Sequence, residues 1–239
     1  MLNREKGAAP LYYQLKESLK EQIENEQYKK GDIFLSEKQL QEMYQVSRVT
    51  VRQAINELVS AGYLQCGRGV GTTVVFEKID EQLKQVISFS EEMEQHGIVM
   101  GTSHCVMEKV IADDIVAKNL EIEKGTSAYR LERVRCAESV PLVYSISYLS
   151  EKYQLPLEEE HYRDSLYRFL KDTYGIVIAG GKDTFEAVLS TKTTGDFLNI
   201  PVGEPVFKRT RKTYDQDRDI LEYTVCYYVG SKYKYSVNL

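Results

Sequence analysis

Several residue types that mark disulfide-rich or metal-binding proteins are scarce in this chain. Tryptophan is absent, and only 4 cysteines and 3 histidines occur among 239 residues. The cysteines lie far apart and form no C-x-x-C pair, which argues against a disulfide framework or a zinc site; they are Cys66, Cys105, Cys136 and Cys226. We therefore expect reduced thiols, no metal and no cofactor.

Long apolar runs are missing as well. No stretch approaches the ~20 residues of a membrane span, and the start of the chain, MLNREKGAAP, lacks the apolar core of a signal peptide. The composition is that of a globular protein, with 42% apolar and 28% charged residues. The sequence predicts a cytoplasmic protein that does not associate with a membrane.

The net charge of −5 is unevenly distributed along the chain. Residues 1–76 carry 10 Lys and Arg against 9 Asp and Glu, a charge of +1, so the remaining residues carry −6. A near-neutral segment can still bind DNA if its basic groups converge on one face. The charge therefore permits nucleic-acid binding by the first 76 residues.

The segment after Gly31 predicts a short helix. Ser36 and Gln39 have the spacing of a capping box. Leu40 and Met43 would form its inward-facing stripe, and residues 44–46 would make the turn that follows.

A second helix is predicted directly after this turn. Ser47 is placed to cap it, and its apolar residues repeat at the spacing of one buried face; they are Val51, Ala54, Ile55, Leu58 and Val59. Arg48 and Arg52 then project together from the opposite face, where a recognition helix meets DNA. An arginine pair can also be simply a solvated helix face.

A glycine-rich hairpin follows Gly62. Residues 63–65 and 72–75 alternate like two short strands, and Gly67, Gly69 and Gly71 let the connecting loop adopt positive φ. Arg68 lies at the tip of the loop, suited to a narrow minor groove. The order of helix, turn, helix and hairpin predicts a winged helix-turn-helix that binds DNA.

These segments resemble the DNA-binding half of the GntR family of bacterial transcription regulators. The resemblance runs from about Leu11 to Phe76 through SEKQL, VSRVTVRQAINELVSAGYL and GRGVGT. The resemblance implies that DNA is contacted by the basic residue after the Ser-Glu pair, Lys38, and by the helix arginines Arg48 and Arg52. It also implies contacts from the wing glycine, Gly69, and from the hydroxyls of Ser47 and Thr50.

Two positions depart from the family pattern. Leu35 stands where most members have proline, and Lys38 stands where arginine is usual. Lysine lacks the fork-shaped guanidinium that binds guanine bidentately, so we expect a relaxed or shifted base preference at that position.

The remainder of the chain alternates between strand and helix patterns. Short turns such as residues 215–219 join several of the strands, which favours an antiparallel sheet with helices packed on one side. We predict an α+β protein with a winged helix-turn-helix domain at 1–76, a linker at 77–87 and a second domain at 88–239.

Arg133 and Arg135 are the principal candidates for ligand binding in the second domain. Residues two apart on a strand share a face, so the two guanidiniums would converge and favour an anion such as phosphate. Ser165 could add a hydroxyl at a helix N-terminus, and Tyr167 and Ser90 could add two more. The alternative is that the arginines pair with carboxylates on a solvated strand face.

This half resembles the UTRA effector domain of the HutC branch of the GntR family, whose fold is similar to chorismate lyase. The matching segments are SFSEEM, YRLERVRCAESVPLVYSISYL, DSLYRFL and LEYTVCYYVG. The resemblance implies that Ser90, Arg133, Arg135, Ser165 and Tyr167 hold the phosphate of a sugar phosphate or another acidic ligand. Ser145 stands where members that sense amino-sugar phosphates have glutamate, which argues against an amino sugar.

Glu222 and Tyr228 are further candidates for effector binding. A carboxylate within the apolar run ILEYTVCYYV needs a partner, such as a sugar hydroxyl, unless it lies on an edge strand and faces water. Strand tyrosines in this half could stack on a sugar, pack on the sheet or fill a dimer interface.

We therefore predict a homodimer that binds an inverted-repeat operator in double-stranded DNA. The resemblance implies that it is a repressor, released from the operator when a phosphorylated sugar binds. One alternative is a constitutive DNA-binding dimer whose second domain is purely structural. Another is a chorismate lyase-like enzyme, for which Glu222 beside Arg133 and Arg135 would supply the polar site. Fold similarity alone does not establish such chemistry, and we expect no enzymatic activity.

Overall fold

The computed structural model describes residues 2–67, 71–82, 86–137 and 139–236. The chain forms two compact units, residues 1–78 and 79–239. Among the described residues, no helix is long and apolar enough to cross a membrane.

The first unit is a three-helix winged domain. Its elements are α1 (Leu11–Glu24), α2 (Glu37–Tyr44), α3 (Arg48–Ser60), β1 (Leu64–Gly67) and β2 (Gly71–Val74). The two strands pair antiparallel, and Ile33 adds an isolated bridge to Thr73. A single apolar core includes Leu15 and Leu19 of α1, Leu40 of α2 and Leu58 of α3.

Helix α2 begins as predicted and packs differently from the prediction. Ser36 and Gln39 form the capping box, with each side chain bonded to the other residue's backbone N–H. Leu40 is fully buried, whereas Met43 is 58% exposed, so its predicted inward position is wrong. Tyr44, one turn after Leu40, packs on the core instead and ends the helix, which leaves Gln45 to turn the chain in the left-handed region.

The second unit is built on a six-stranded antiparallel sheet. Its strands are β4 (Met100–Ile111), β5 (Ser127–Ala137), β6 (Val140–Ser150), β7 (Ile178–Leu189), β8 (Pro205–Asp215) and β9 (Ile220–Val229). Their order across the sheet is β4-β5-β6-β9-β8-β7. The helices are α4 (Phe89–Gln95), α5 (Asp114–Leu120), α6 (Leu166–Tyr174) and α7 (Lys192–Leu198), with short 3-10 turns at Glu151–Tyr153 and Glu159–Tyr162.

Helices cover both faces of this sheet, so the expectation of helices on one side is wrong. On one face, α6 buries Leu166 and Leu170 against apolar residues of β4 and β5. On the other face, α5 and α7 cover separate clusters, with Leu198 of α7 packed beside Tyr144. The physical reason is that central strand β5 buries side chains of both faces, and each apolar face needs its own cover.

A small parallel pair stands apart from the main sheet. Strand β3 (Ile79–Gln82) pairs with β10 (Tyr233–Ser236) in the register Ile79 opposite Tyr233 through Gln82 opposite Ser236. The sequence pattern predicts no strand in either segment. The first strand of the second unit is thus hydrogen-bonded to the last strand that the structure describes.

Candidate functional site

The exposed face of α3 holds the arginines predicted to contact DNA. Ser47 caps α3, its Oγ accepting from Thr50 N at 3.2 Å and lying 2.9 Å from Thr50 Oγ1. The buried face contains Val51, Ala54, Ile55 and Leu58, while Val59 is partly buried. Arg48 and Arg52 stand on the outer face with side chains 69% and 62% exposed.

Carboxylates of α2 contact three of the predicted DNA-binding side chains. Glu37 accepts a hydrogen bond from Arg48 Nε at 2.9 Å and pairs with Arg52 Nε at 3.4 Å. Lys38 is 85% exposed and lies 3.9 Å from Glu42. Arg68 and Gly69 lie outside the described residues, and Gly71 at the end of the wing has a φ of 94°.

A cavity in the second unit brings together all seven residues predicted to bind the effector. They are Ser90, Arg133, Arg135, Ser165, Tyr167, Glu222 and Tyr228. The empty space between the lining residues is about 550 Å³, part of which is open to solvent.

The sheet supplies the floor of this cavity through its register. Arg133 lies opposite Ser145 on β6, which lies opposite Cys226 on β9, which in turn lies opposite Arg209 on β8. Two small side chains therefore separate two arginines in one row across the sheet. In the next row Tyr228 lies between Val143 and Phe207, and the Arg209 guanidinium stands 5.0 Å from the Tyr228 ring centre.

Two helix starts supply the opposite wall. Ser165 caps α6 by accepting from Arg168 N at 3.3 Å, and it donates to Ser88 Oγ at 3.2 Å. Ser88 in turn caps α4, which carries Ser90. The hydroxyl-bearing first turns of α4 and α6 are thus joined directly at the cavity.

Arg135 and Arg133 are held by neutral acceptors. Arg135 Nη1 donates to the carbonyl oxygen of Arg163 at 2.6 Å, and Nη2 donates to Ser90 Oγ at 2.7 Å. Arg133 Nη1 donates to the carbonyl oxygens of Tyr162 and Asp164 at 3.0 and 3.2 Å. Among the described residues, no carboxylate forms a salt bridge with either guanidinium, so the alternative of ion pairs on a solvated face does not apply.

The positive charge of this pair is poorly compensated. Burial lowers the pKa of Arg135 to about 10, and the neighbouring charge of Arg133 adds to the decrease. Burial also lowers the pKa of Arg133, although Glu222 acts against it. Arg133 Nε is enclosed and has no hydrogen-bond partner among the described residues. Arg135 is buried and Arg133 is partly buried. Two such cations, with Arg133 Nε still able to donate, form a receptor for an anion.

Glu222 lies on a central strand and is 3% exposed, so the water-facing alternative is wrong. Tyr167 OH donates to Glu222 Oε2 at 2.8 Å, and Thr224 Oγ1 lies 2.5 Å from Glu222 Oε1. Burial and the carboxylate of Glu222 raise the pKa of Tyr167 well above its ordinary value. Tyr167 therefore remains a hydrogen-bond donor at neutral pH.

Two arginines of the cavity, Arg209 and Arg211, are not among the residues predicted from the sequence. Both are buried on β8, at 3% and 6% exposure. Arg211 forms a two-point ion pair with Asp183, each bond 2.7 Å, and donates from Nη1 to the Ile87 carbonyl oxygen at 3.0 Å. The signal was present, because Arg209 and Arg211 repeat the two-residue spacing of Arg133 and Arg135.

Comparisons with known proteins match each of the two units to a protein family. Residues 11–74 match the bacterial regulatory proteins of the gntR family, and residues 95–234 match the UTRA domain. The chain is 30% identical to the HTH-type transcriptional repressor NagR of Bacillus subtilis (strain 168) over 95% of this chain and 93% of that protein.

Two further similarities span nearly the whole chain. The Mannosyl-D-glycerate transport/metabolism system repressor MngR of Escherichia coli (strain K12) is 27% identical over 97% of this chain and 96% of its own length. The crystal structure of PhnF from Mycobacterium smegmatis superposes with a TM-score of 0.63 at 25% identity, covering 94% of this chain and 98% of that one.

A gntR domain followed by a UTRA domain defines a DNA-binding transcriptional repressor. The chain belongs to the GntR family, in its HutC subfamily, which confirms the predicted family and the predicted α+β fold.

Proposed function

We propose that this repressor binds an inverted-repeat operator as a homodimer and is released from it when a phosphorylated sugar occupies the cavity of the second unit. The observation that carries the proposal is the pair Arg133 and Arg135, two guanidiniums with lowered pKa that converge on one cavity and form no salt bridge with a carboxylate of the described residues. A phosphate provides both the charge and the paired acceptors that these groups need.

The remaining lining suits a polyhydroxyl body attached to that phosphate. Glu222 and Thr224 line the cavity with a carboxylate and a hydroxyl, and Tyr228 adds an aromatic ring. Ser145 and Ser147 have small side chains, which leave space for the ligand above the sheet. The name of one relative refers to mannosyl-D-glycerate transport and metabolism, which supports a carbohydrate-derived effector. Members that sense amino-sugar phosphates have glutamate at position 145. Ser145 offers no carboxylate there to the amino group of an amino sugar.

The winged domain suits one half-site, and its recognition helix presents Arg48 and Arg52 outward. Two copies paired by their second units would place two recognition helices about one helical turn, ~34 Å, apart or at a longer spacing set by the linker. Release by the effector requires that it bind the DNA-free state more tightly than the DNA-bound state.

The test is thermal unfolding against a panel of sugar phosphates, the matching free sugars, organic acids and inorganic phosphate. A ligand at 100 times its dissociation constant adds ~2.7 kcal/mol to stability, which raises the Tm by roughly 5–10 °C for a chain of this size. We expect such a shift with one sugar phosphate, none with its free sugar, and loss of the shift in Arg133→Ala.

Arg130→Ala is the matched control. Arg130 lies on the same strand but on the opposite face, where it pairs with Glu108 and Glu132. This variant should keep the ligand shift. If no phosphorylated compound shifts the Tm, or if Arg133→Ala responds like the wild type, the cavity is not a phosphate-reading site and the purely structural alternative gains support.

A further inference from the structure

We propose that Glu37 is a positioning residue for operator recognition, which holds Arg48 and Arg52 in the orientation needed to read bases. The inference rests on the proposed role of these arginines at the operator. It adds to that role a residue that need not touch DNA and that sets the preference for operator over other sequences.

One carboxylate contacts both arginines, each through a different oxygen. Glu37 Oε2 accepts from Arg48 Nε at 2.9 Å, and Glu37 Oε1 lies 3.4 Å from Arg52 Nε. Glu37 belongs to α2 and the arginines belong to α3, so this bridge joins the two helices of the helix-turn-helix. It also brings two like charges, one helical turn apart, to a common centre.

Both contacts use the inner nitrogen of the guanidinium. Within the described part of the chain, no residue accepts a hydrogen bond from the terminal Nη1 and Nη2 groups of Arg48 or Arg52. Those terminal groups form the fork that binds the O6 and N7 atoms of guanine. The bridge therefore restrains each arginine through its Nε atom and leaves the terminal Nη1 and Nη2 groups available to bind a base.

Stability does not account for this arrangement. The three side chains are 39%, 69% and 62% exposed for Glu37, Arg48 and Arg52, and exposed ion pairs contribute little to folding. Helix α2 also has its own capping box from Ser36 and Gln39. A carboxylate beside the DNA-facing arginines should moreover weaken attraction to phosphates of any sequence.

The bridge from Glu37 to Arg48 and Arg52 favours discrimination between DNA sequences over affinity for DNA in general. Long arginine side chains lose rotamer freedom when they bind, and a side chain already held in place loses less. The same carboxylate lowers the net positive charge seen by nonspecific DNA. The charge effect weakens binding to DNA of any sequence, whereas the positioning effect acts only where the arginines read bases, so positioning is what raises the ratio of operator affinity to nonspecific affinity.

The experiment measures dissociation constants of the full-length protein at one salt concentration for two duplexes. One duplex is selected by the wild type from a random pool, and the other is a scrambled duplex of equal length and composition. In Glu37→Ala we expect the preference for the selected duplex to fall about tenfold, with affinity for the scrambled duplex unchanged or increased. Glu37→Gln keeps the side-chain size and one acceptor, and should lose part of the preference.

Glu57→Ala is the charge-matched control. It removes one carboxylate from α3 itself, where Glu57 pairs with Lys16 at 3.7 Å and, among the described residues, forms no ion pair with Arg48 or Arg52. The preference should be retained in this variant. In an Arg48→Ala/Arg52→Ala background, adding Glu37→Ala should change the preference no further, because the groups that Glu37 positions are gone.

Two results would overturn this inference and leave the proposed DNA-reading role of Arg48 and Arg52 intact. One is an unchanged preference in Glu37→Ala; the other is an equal loss of affinity for both duplexes together with a lower Tm, which would make Glu37 only a stabiliser of α2. If Arg48→Ala and Arg52→Ala themselves keep wild-type preference, the proposed DNA-reading role of α3 fails first.

Discussion

Asp215 illustrates how one carboxylate fixes a turn. It ends β8, is 3% exposed, and accepts hydrogen bonds from Tyr153 OH at 2.8 Å and from the backbone N–H groups of Asp217 and Asp219 at 3.0 and 2.9 Å. Lys152 lies 3.5 Å away. Although burial opposes the charged form, these donors and Lys152 keep the pKa of Asp215 below its ordinary value.

A pH dependence of stability follows from this lowered pKa. The contribution of Asp215 is fully present above the unfolded pKa of about 3.9 and is lost as the pH falls through the lower folded value. Asp215→Asn should cost about 1–3 kcal/mol at pH 7, and its Tm deficit should shrink as the pH falls below about 4.

Calorimetry at pH 7 and at pH 3 would check this expectation. The control is Asp196→Asn, which removes an exposed carboxylate paired with Lys192 one turn away on α7. That change should have little effect at either pH. A Tm deficit of Asp215→Asn that stays constant between pH 7 and pH 3 would contradict the assigned linkage.

The sequence alone predicts some of the arginines that line the cavity and not others. Arg133 and Arg135 could be found because strand spacing alone puts them on one face. Arg209 and Arg211 have the same spacing but lie in the basic segment FKRTRK, which also matches a solvated strand. Only the sheet order, with β8 beside β9, shows that their side chains are buried at the cavity. Spacing within one strand does not define which strands are neighbours.

At the level of elements, β7 contains two consecutive glycines in different surroundings. A Cβ on Gly181 would lie 2.8 Å from the Lys212 carbonyl oxygen on β8 and 3.2 Å from Val86 Cγ2, whereas a Cβ on Gly180 would meet no atom of the described residues within 4 Å. Neither glycine has a positive φ. The pair therefore separates the effect of steric space from that of backbone conformation.

Gly181→Ala should destabilise the protein by about 1–3 kcal/mol, because a backbone carbonyl in a hydrogen-bonded strand cannot move aside cheaply. Gly180→Ala should be close to neutral, with any gain coming from reduced freedom of the unfolded chain. Urea unfolding of both variants measures the difference. Equal midpoints for the two would show that β7 moves away from β8 at no cost.

Elements with strong periodicity were predicted best. Helix α3 and the strands around residues 215–219 follow from apolar spacing and turn residues. Strand β3 could not be found, because its four residues, IDEQ, have no apolar alternation, and its pairing with β10 joins segments about 150 residues apart in the chain. The exposure of Met43 depends on how α2 packs, which an eight-residue pattern does not determine.

The whole molecule consists of two units with separate apolar cores. Among the described residues, the core of residues 1–78 contains only members of that unit, and the clusters of residues 79–239 likewise contain only their own. Each unit therefore has the means to fold independently. This division allows the two proposed activities to be measured on separate fragments.

Separating the chain between Lys78 and Ile79 should leave both fragments folded. We expect fragment 79–239 to keep the full thermal shift with the effector, and fragment 1–78 to bind operator DNA about 10²–10⁴-fold more weakly because it no longer binds as a linked pair. Sedimentation equilibrium would show whether fragment 79–239 is the dimeric part. Wild-type operator affinity in fragment 1–78 would contradict dimerisation through the second unit.

The distribution of thiols has a practical consequence for such measurements. Cys66 on wing strand β1 is exposed, whereas Cys105, Cys136 and Cys226 are buried. Burial also raises the pKa of the Cys105 and Cys226 thiols, which further suppresses their thiolate forms. A thiol-specific fluorophore added to the folded, unaltered protein should therefore attach at a single position. The natural sequence thus provides a spectroscopic reporter on the wing strand.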